Sequence, residues 1–251
     1  MIQQYILLHF VLLIFTIYLM KFIIVIKNGA QKKFLFSPIL SSFSLKNIQT
    51  PNILSLKKMR HDLFIFIPYF VVIYFLTGQI VEKKLGGSFT AYFLIPATYL
   101  WLQVLPLLSR FFFLNRKVLY PPMHDEPLQA KSLSDFWGKR WNIWFGTWFR
   151  EVFFYPFAHY PKLSTLSVFL MSGLWHELIF SLPYYGITGI NHLGKMLCYF
   201  TLQALGVFLD QTYLKNIKPL PRKIFLWCWV IAPAPLYLHS AIEPFFTMVK
   251  L

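Results

Sequence analysis

The chain is poor in charge, and poorest in negative charge. Of its 251 residues only 13% are Asp, Glu, Lys or Arg, and nine of those are acidic. Soluble domains carry about 25% charged residues. At 57% hydrophobic and 20% aromatic, a globule of this size cannot hide its apolar surface from water behind so few charges. An ordinary soluble enzyme, a disordered chain and a coiled coil are excluded, and lipid is the solvent for most of the chain. Cysteine is scarce too. Cys198 and Cys228 lie in apolar segments with no CxxC or Cys/His pattern, so neither a disulfide framework nor a thiolate metal site is expected. The sequence has no metal motif either: HExxH would need His at position 180, which is Phe180, and His159, His192 and His239 lack ligand spacing. With no internal repeat and no low-complexity linker, residues 1–251 read as a single membrane domain.

What is present is long apolar runs. A membrane helix needs about 20 mainly apolar residues, and six segments qualify: Gln4–Ile26, Leu63–Val81, Phe89–Leu108, Leu163–Leu182, Leu193–Leu209 and Ile224–His239. The first lacks the basic flank and small-residue site of a cleavable signal peptide. Lys21 interrupts it near one end, where its stem can snorkel to the interface. Pro233 and Pro235 should shorten or kink the last. Lys27–Asp62 holds seven basic residues, Arg110–Lys162 eight and Asp210–Lys223 four, whereas the alternate connections hold only Lys83, Lys84, Lys195 and Lys250. The positive-inside rule then places both termini on the non-cytoplasmic side and makes 27–62 a basic cytoplasmic segment. The net charge of +15 is therefore topological and lipid-facing, and a nucleic-acid partner is not expected.

Residues 121–162 do not behave like a connection. A turn-rich Pro121–Pro127 leads into Ser132-Leu-Ser-Asp-Phe-Trp-Gly-Lys-Arg-Trp-Asn-Ile-Trp-Phe-Gly-Thr-Trp-Phe-Arg150, which reads as a capped helix beginning near Ser134. Trp137, Trp141, Trp144 and Trp148 recur at helical steps along one broad face, as an interfacial belt would. On that helix Asp135, Lys139 and Asn142 share a side. Lys139, Arg140 and Arg150 could hold phosphates. The plainer reading is a structural interfacial helix, with Asp135–Lys139 a surface pair worth tenths of a kcal/mol and Arg140 on lipid headgroups.

The fourth span carries Ser172-Gly-Leu-Trp-His-Glu177 inside apolar sequence. An imidazole or carboxylate at membrane depth is costly and faces a cavity or a partner. His176 lies about 20 Å into the span at about 1.5 Å per residue. Ser172 is one turn earlier on the same side, with Gly173 making room beside it. Glu177 points about 100° away and is poorly placed to orient His176. Proton relay, metal ligand and general base are all open on these residues alone.

Taken together, Ser134-Asp-Phe-Trp-Gly-Lys-Arg-Trp-Asn142 and, thirty residues later, Ser172-Gly-Leu-Trp-His-Glu177 resemble the membrane-bound O-acyltransferases. The wax synthase branch, with a DFWGRRWN-like segment before an SG-x-x-HE segment, is the most similar. The resemblance is firm over 121–182 and does not cover the first hundred residues. It implies an all-α, polytopic membrane fold, for which the apolar runs of this chain give about six transmembrane helices plus interfacial helices. It also implies acyl transfer from acyl-CoA, a co-substrate rather than a cofactor, to the hydroxyl of a lipidic alcohol. His176 would be the general base and Asn142 the second catalytic residue, with Asp135, Lys139, Arg140, Trp141, Arg150 and Ser172 binding substrate and no metal. Lys139 stands where Arg is common in the family, and the chain is shorter than most of the branch. Its partners would be the acyl-CoA donor, the alcohol and membrane lipids, in the endoplasmic reticulum of a eukaryote or the inner membrane of a bacterium. A non-catalytic scaffold of the same fold, or a small transporter using His176 and Glu177, are the alternatives. Acyl-chain length and oligomeric state are not legible in the sequence.

Overall fold

The computed structural model describes residues 2–28, 64, 67–68, 71–72, 75, 78, 90–112 and 123–246. Most of the basic segment 27–62 lies outside them, as does most of the span Leu63–Val81, whose described positions are helical. Among the described residues every regular element is helical and there is no strand. Packing divides the chain into two units, Met1–Leu13 with His124–Leu251, and Ile14–Met123.

The first expected span is α1 (Ile2–Asn28) and the third is α2 (Thr90–Phe112). Lys21 is fully buried rather than extended to an interface. The region expected as one long helix is instead two short ones, α3 (Leu133–Asp135) and α4 (Ile143–Phe149). The fourth span is α5 (Pro161–His176), continued through a π-turn at Glu177–Ser181 into α6 (Leu182–Thr188). The fifth is α7 (Lys195–Tyr213). The sixth is cut short as its prolines predict: α8 (Pro219–Ile231) ends before Pro233, and only the single turn α9 (Ala234–Tyr237) follows. Two helical runs among the described residues, Gln3–Lys27 and Pro161–Thr188, are long and apolar enough to cross a membrane.

Glycine sets how closely the helices of the first unit approach. A Cβ on Gly173 of α5 would lie 2.9 Å from the Leu197 Cα of α7. A Cβ on Gly206 of α7 would fall 2.2 Å from the Trp229 indole nitrogen of α8, whose N–H donates to the Leu202 carbonyl at 2.8 Å. Small residues at such crossings let backbones meet where lipid supplies no hydrophobic drive between helices. Asp210, fully buried at the end of α7, is held by the Arg222 fork of α8 at 2.6 and 3.1 Å. Around this frame Phe136, Phe169, Tyr199, Phe200 and Leu226 form one apolar core with Trp137, Trp141 and Tyr237 against it.

Candidate active site

The first motif is built on a change of helical register. Ser132 caps α3, accepting the Asp135 N–H at 3.0 Å, two residues earlier than the expected start. The chain then widens into a π-turn over Phe136–Arg140, closed by the Trp141 N–H on the Phe136 carbonyl at 2.8 Å. Trp141 is extended, and Asn142 adopts a left-handed conformation with φ of 44° before α4 begins. Asn is among the few side chains that tolerate this region. The four tryptophans therefore do not share one continuous helical face, and Asp135, Lys139 and Asn142 do not share a side.

The π register also changes the ion pair. One residue per turn is added, so Asp135 meets Arg140 rather than Lys139: Nε to Oδ2 is 2.9 Å. Arg140 Nη1 also donates to the Asp125 and Glu126 carbonyls at 3.2 Å each. Partial burial works to raise the Asp135 carboxyl, but the Lys131 N–H and the Arg140 guanidinium outweigh it and hold it below its ordinary 3.8. Arg150 turns inward, donating to the Gly138 carbonyl and to Thr147 Oγ1 at 3.1 Å. Both arginines thus spend donors on the chain itself, three bonds from Arg140 and two from Arg150. Lys139 is exposed and makes no ion pair among the described residues.

His124, which the sequence reading passed over, completes this segment. Its Nδ1 accepts the Asn142 N–H at 3.0 Å, and its ring lies 4.4 Å from that of Trp141. Burial pushes the imidazole down to about 4, so it is neutral at physiological pH and Nδ1 keeps the lone pair this bond needs. The Asn142 side-chain Oδ1 is buried without a hydrogen-bond partner. An unpaired buried acceptor costs about 1–3 kcal/mol, so a donor from outside the chain would be stabilised at Asn142, as it would at the equally unpartnered Glu177 Oε2.

In the second motif the Ser172 carbonyl, not its hydroxyl, meets His176: Nδ1 lies 2.6 Å from that oxygen. A carbonyl only accepts, so Nδ1 carries the proton and the neutral ring presents its lone pair at Nε2. Nε2 makes no hydrogen bond to the described residues. The ring is walled by Phe200 at 4.6 Å, Tyr237 at 5.4 Å and Phe180, stacked at 6.1 Å. Rings also join the two motifs: Trp141 to Trp137 at 6.4 Å, Trp137 to Phe200 at 6.1 Å and Phe200 to His176 at 4.6 Å.

Glu177 has a different task. Its Oε1 accepts the N–H groups of Met196 and Leu197 at 2.8 and 3.1 Å. These are donors in the first turn of α7, where the N-cap residue, Gly194, has no side chain to offer. Gln203, fully buried on α7, takes the Trp137 indole N–H at 3.1 Å and donates to the Trp229 carbonyl at 3.0 Å, tying the first motif to α7 and α8. Sequence reasoning missed Gln203, Asp210 and His124. A Gln inside the span Leu193–Leu209 was the available signal, since an amide in lipid needs a partner. No group of three or more metal-ligating side chains occurs among the described residues.

The site is a helical one, two motifs joined by aromatic rings around a histidine with one free nitrogen. Residues 120–201 match the family model described as Membrane bound O-acyl transferase family. The chain is 27% identical over 154 residues to the probable long-chain-alcohol O-fatty-acyltransferase 3 of Arabidopsis thaliana, covering 56% of this chain and 44% of that protein. It is 31% identical over 107 residues to the probable long-chain-alcohol O-fatty-acyltransferase 8 of the same plant, covering 39% and 31%. Over 68 residues it is 35% identical to that plant's acyl-CoA–sterol O-acyltransferase 1, covering 24% and 20%. The chain spans less than half the length of these curated relatives. Over residues 120–201 the chain is similar to that family, and the relatives it matches are named as long-chain-alcohol and sterol O-acyltransferases.

Proposed function

We propose that this chain is a membrane-embedded acyltransferase, moving an acyl group from acyl-CoA to the hydroxyl of a lipidic alcohol, with His176 as general base. The observation that carries the reading is the fixed tautomer of His176: the Ser172 carbonyl holds Nδ1–H, leaving the Nε2 lone pair in an aromatic cage. Nε2 takes the proton of the acceptor O–H as that oxygen bonds to the thioester carbonyl carbon. The C–S bond then breaks, and the imidazolium returns the proton to the departing thiolate, releasing ester and free thiol. Such a base contributes about 10²–10⁴-fold. Asn142 positions the acceptor or stabilises the developing carbonyl charge. Lys139, exposed and without an ion pair among the described residues, takes the donor phosphates as a point charge, and Arg140 and Arg150 shape the turn that presents it. Asp135, Trp141 and Ser172 complete the substrate-facing set. Six spans in one membrane domain, with residues 121–162 on the basic cytoplasmic side, would bring acyl-CoA to Lys139, and His176 would lie deeper in the fourth span.

The test is ester formation by the full chain in nanodiscs, with acyl-CoA donors of several lengths and a panel of alcohols and sterols. Ester made by wild type and lost in a folded His176→Ala variant upholds the reading. Equal product from both removes His176 as base, and no product from either across the panel overturns acyl transfer.

A further inference from the structure

The matched stretch begins at residue 120, yet the first turns of α1 reach the segment that follows His176. His9 Nδ1 lies 3.1 Å from the Ile179 carbonyl, which only accepts, so the imidazole is the donor. The reason that carbonyl is available is local. Its ordinary helical partner would be the N–H of residue 183, and Pro183 has none. The π-turn Glu177–Ser181 lies over the same residues. The His9 ring also rests 4.5 Å from Phe180, which in turn stacks on the His176 ring at 6.1 Å. One turn earlier Tyr5, fully buried, donates its hydroxyl to the Ala241 carbonyl at 2.5 Å and meets Tyr184 edge-on at 5.2 Å. Ala241 lies four residues beyond Tyr237, another wall of the His176 cage.

We propose that His9 and Tyr5 are positioning residues for His176: α1 supplies the donor that Pro183 withholds, and so fixes Phe180 and the orientation of the His176 ring. The N-terminal helix is then part of the catalytic apparatus although it lies outside the family match. Neither side chain touches the reacting atoms, and the kinetic half of the idea rests on the acyl-transfer reading. A displacement of the base by a fraction of an ångström acts on the chemical step more than on donor binding.

The experiment uses the full chain in nanodiscs, with ring-¹⁵N-labelled histidine and His176→Ala to assign the resonances. His9→Phe keeps the ring packing and deletes the donor; His9→Asn keeps an N–H where Nδ1 stood. The expected result is that His9→Phe lowers kcat about tenfold or more, leaves KM for acyl-CoA unchanged and moves the His176 ring resonances. His9→Asn restores both. Tyr5→Phe, a milder variant, moves both readouts in the same direction by less. Wild-type kcat and unmoved His176 resonances in His9→Phe would overturn the proposal, as would failure of His9→Asn to restore either. If wild type makes no ester, the acyl-transfer reading falls separately, and movement or constancy of the His176 resonances decides the positioning role.

Discussion

Glu177 gives the sharpest quantitative test, because its place beside His176 invites a chemical role that its contacts do not support. Its carboxylate oxygen accepts two N–H groups of α7, at 2.8 and 3.1 Å, and the residue is 8% exposed. Glu177→Ala leaves both donors unpaired, the Met196 N–H buried and the Leu197 N–H part-buried. Each orphan costs about 1–3 kcal/mol, so even with partial relaxation the loss is about 3 kcal/mol, roughly a hundredfold in the ratio of folded to unfolded protein. Glu177→Gln keeps an oxygen for the same N–H groups. It forfeits only the favourable charge at a helix start, about 0.3–1 kcal/mol. Reversible unfolding in mixed micelles, followed by tryptophan fluorescence, measures both, with turnover normalised to folded protein. The expected order is wild type, Gln slightly below it and Ala far below, with Gln active. Wild-type stability in Glu177→Ala would refute the capping argument. Loss of turnover in a fully stable Glu177→Gln would make Glu177 a participant in the chemistry, as a proton-path role requires.

Gly173→Ala should destabilise although alanine favours helices by about 1 kcal/mol. Its Cβ would meet the Leu197 Cα at 2.9 Å and the Phe200 Cβ at 3.3 Å, and overpacking of this kind costs about 1–3 kcal/mol. A melting temperature at or above wild type would contradict this. His124 has a folded pKa near 4 against an ordinary 6.5. Its neutral form therefore stabilises fully above 6.5, and that contribution is lost as pH falls from 6.5 towards 4. The stability gap between wild type and His124→Asn should shrink across that window and stay constant above pH 7. Asp135, held below 3.8, contributes as a carboxylate above that value and loses its contribution only in stronger acid. The gap between wild type and Asp135→Asn should persist at pH 5 and close below 3.8.

What the sequence shows and what it hides divide along one physical line. Apolar runs place helices because lipid demands an internally bonded backbone, so α1, α2, α5 and α7 fall where hydropathy puts them. Pro233 ends α8 for a reason visible in its residue type. The two motifs are legible as composition, yet their geometry is not. A period of 3.6 residues pairs Asp135 with Lys139, and the chain pairs it with Arg140 because a π-turn adds one residue to the turn. The same widening follows His176, over a stretch where Pro183 leaves the Ile179 carbonyl to be met by His9 from the far end of the chain. A π register leaves no signature in hydrophobic spacing, since it costs a few hydrogen bonds of altered geometry and changes no residue type. It does gather at functional sites, and here it closes both segments that bear the candidate site. The partners of Glu177, Gln203 and Asp210 are hidden for a related reason. Each is a buried polar group whose need for a partner follows from burial, while the partner's identity follows only from which helix lies alongside. Helix adjacency is set by Gly173 against Leu197 and Gly206 against Trp229, contacts between residues that nothing in a single sequence links.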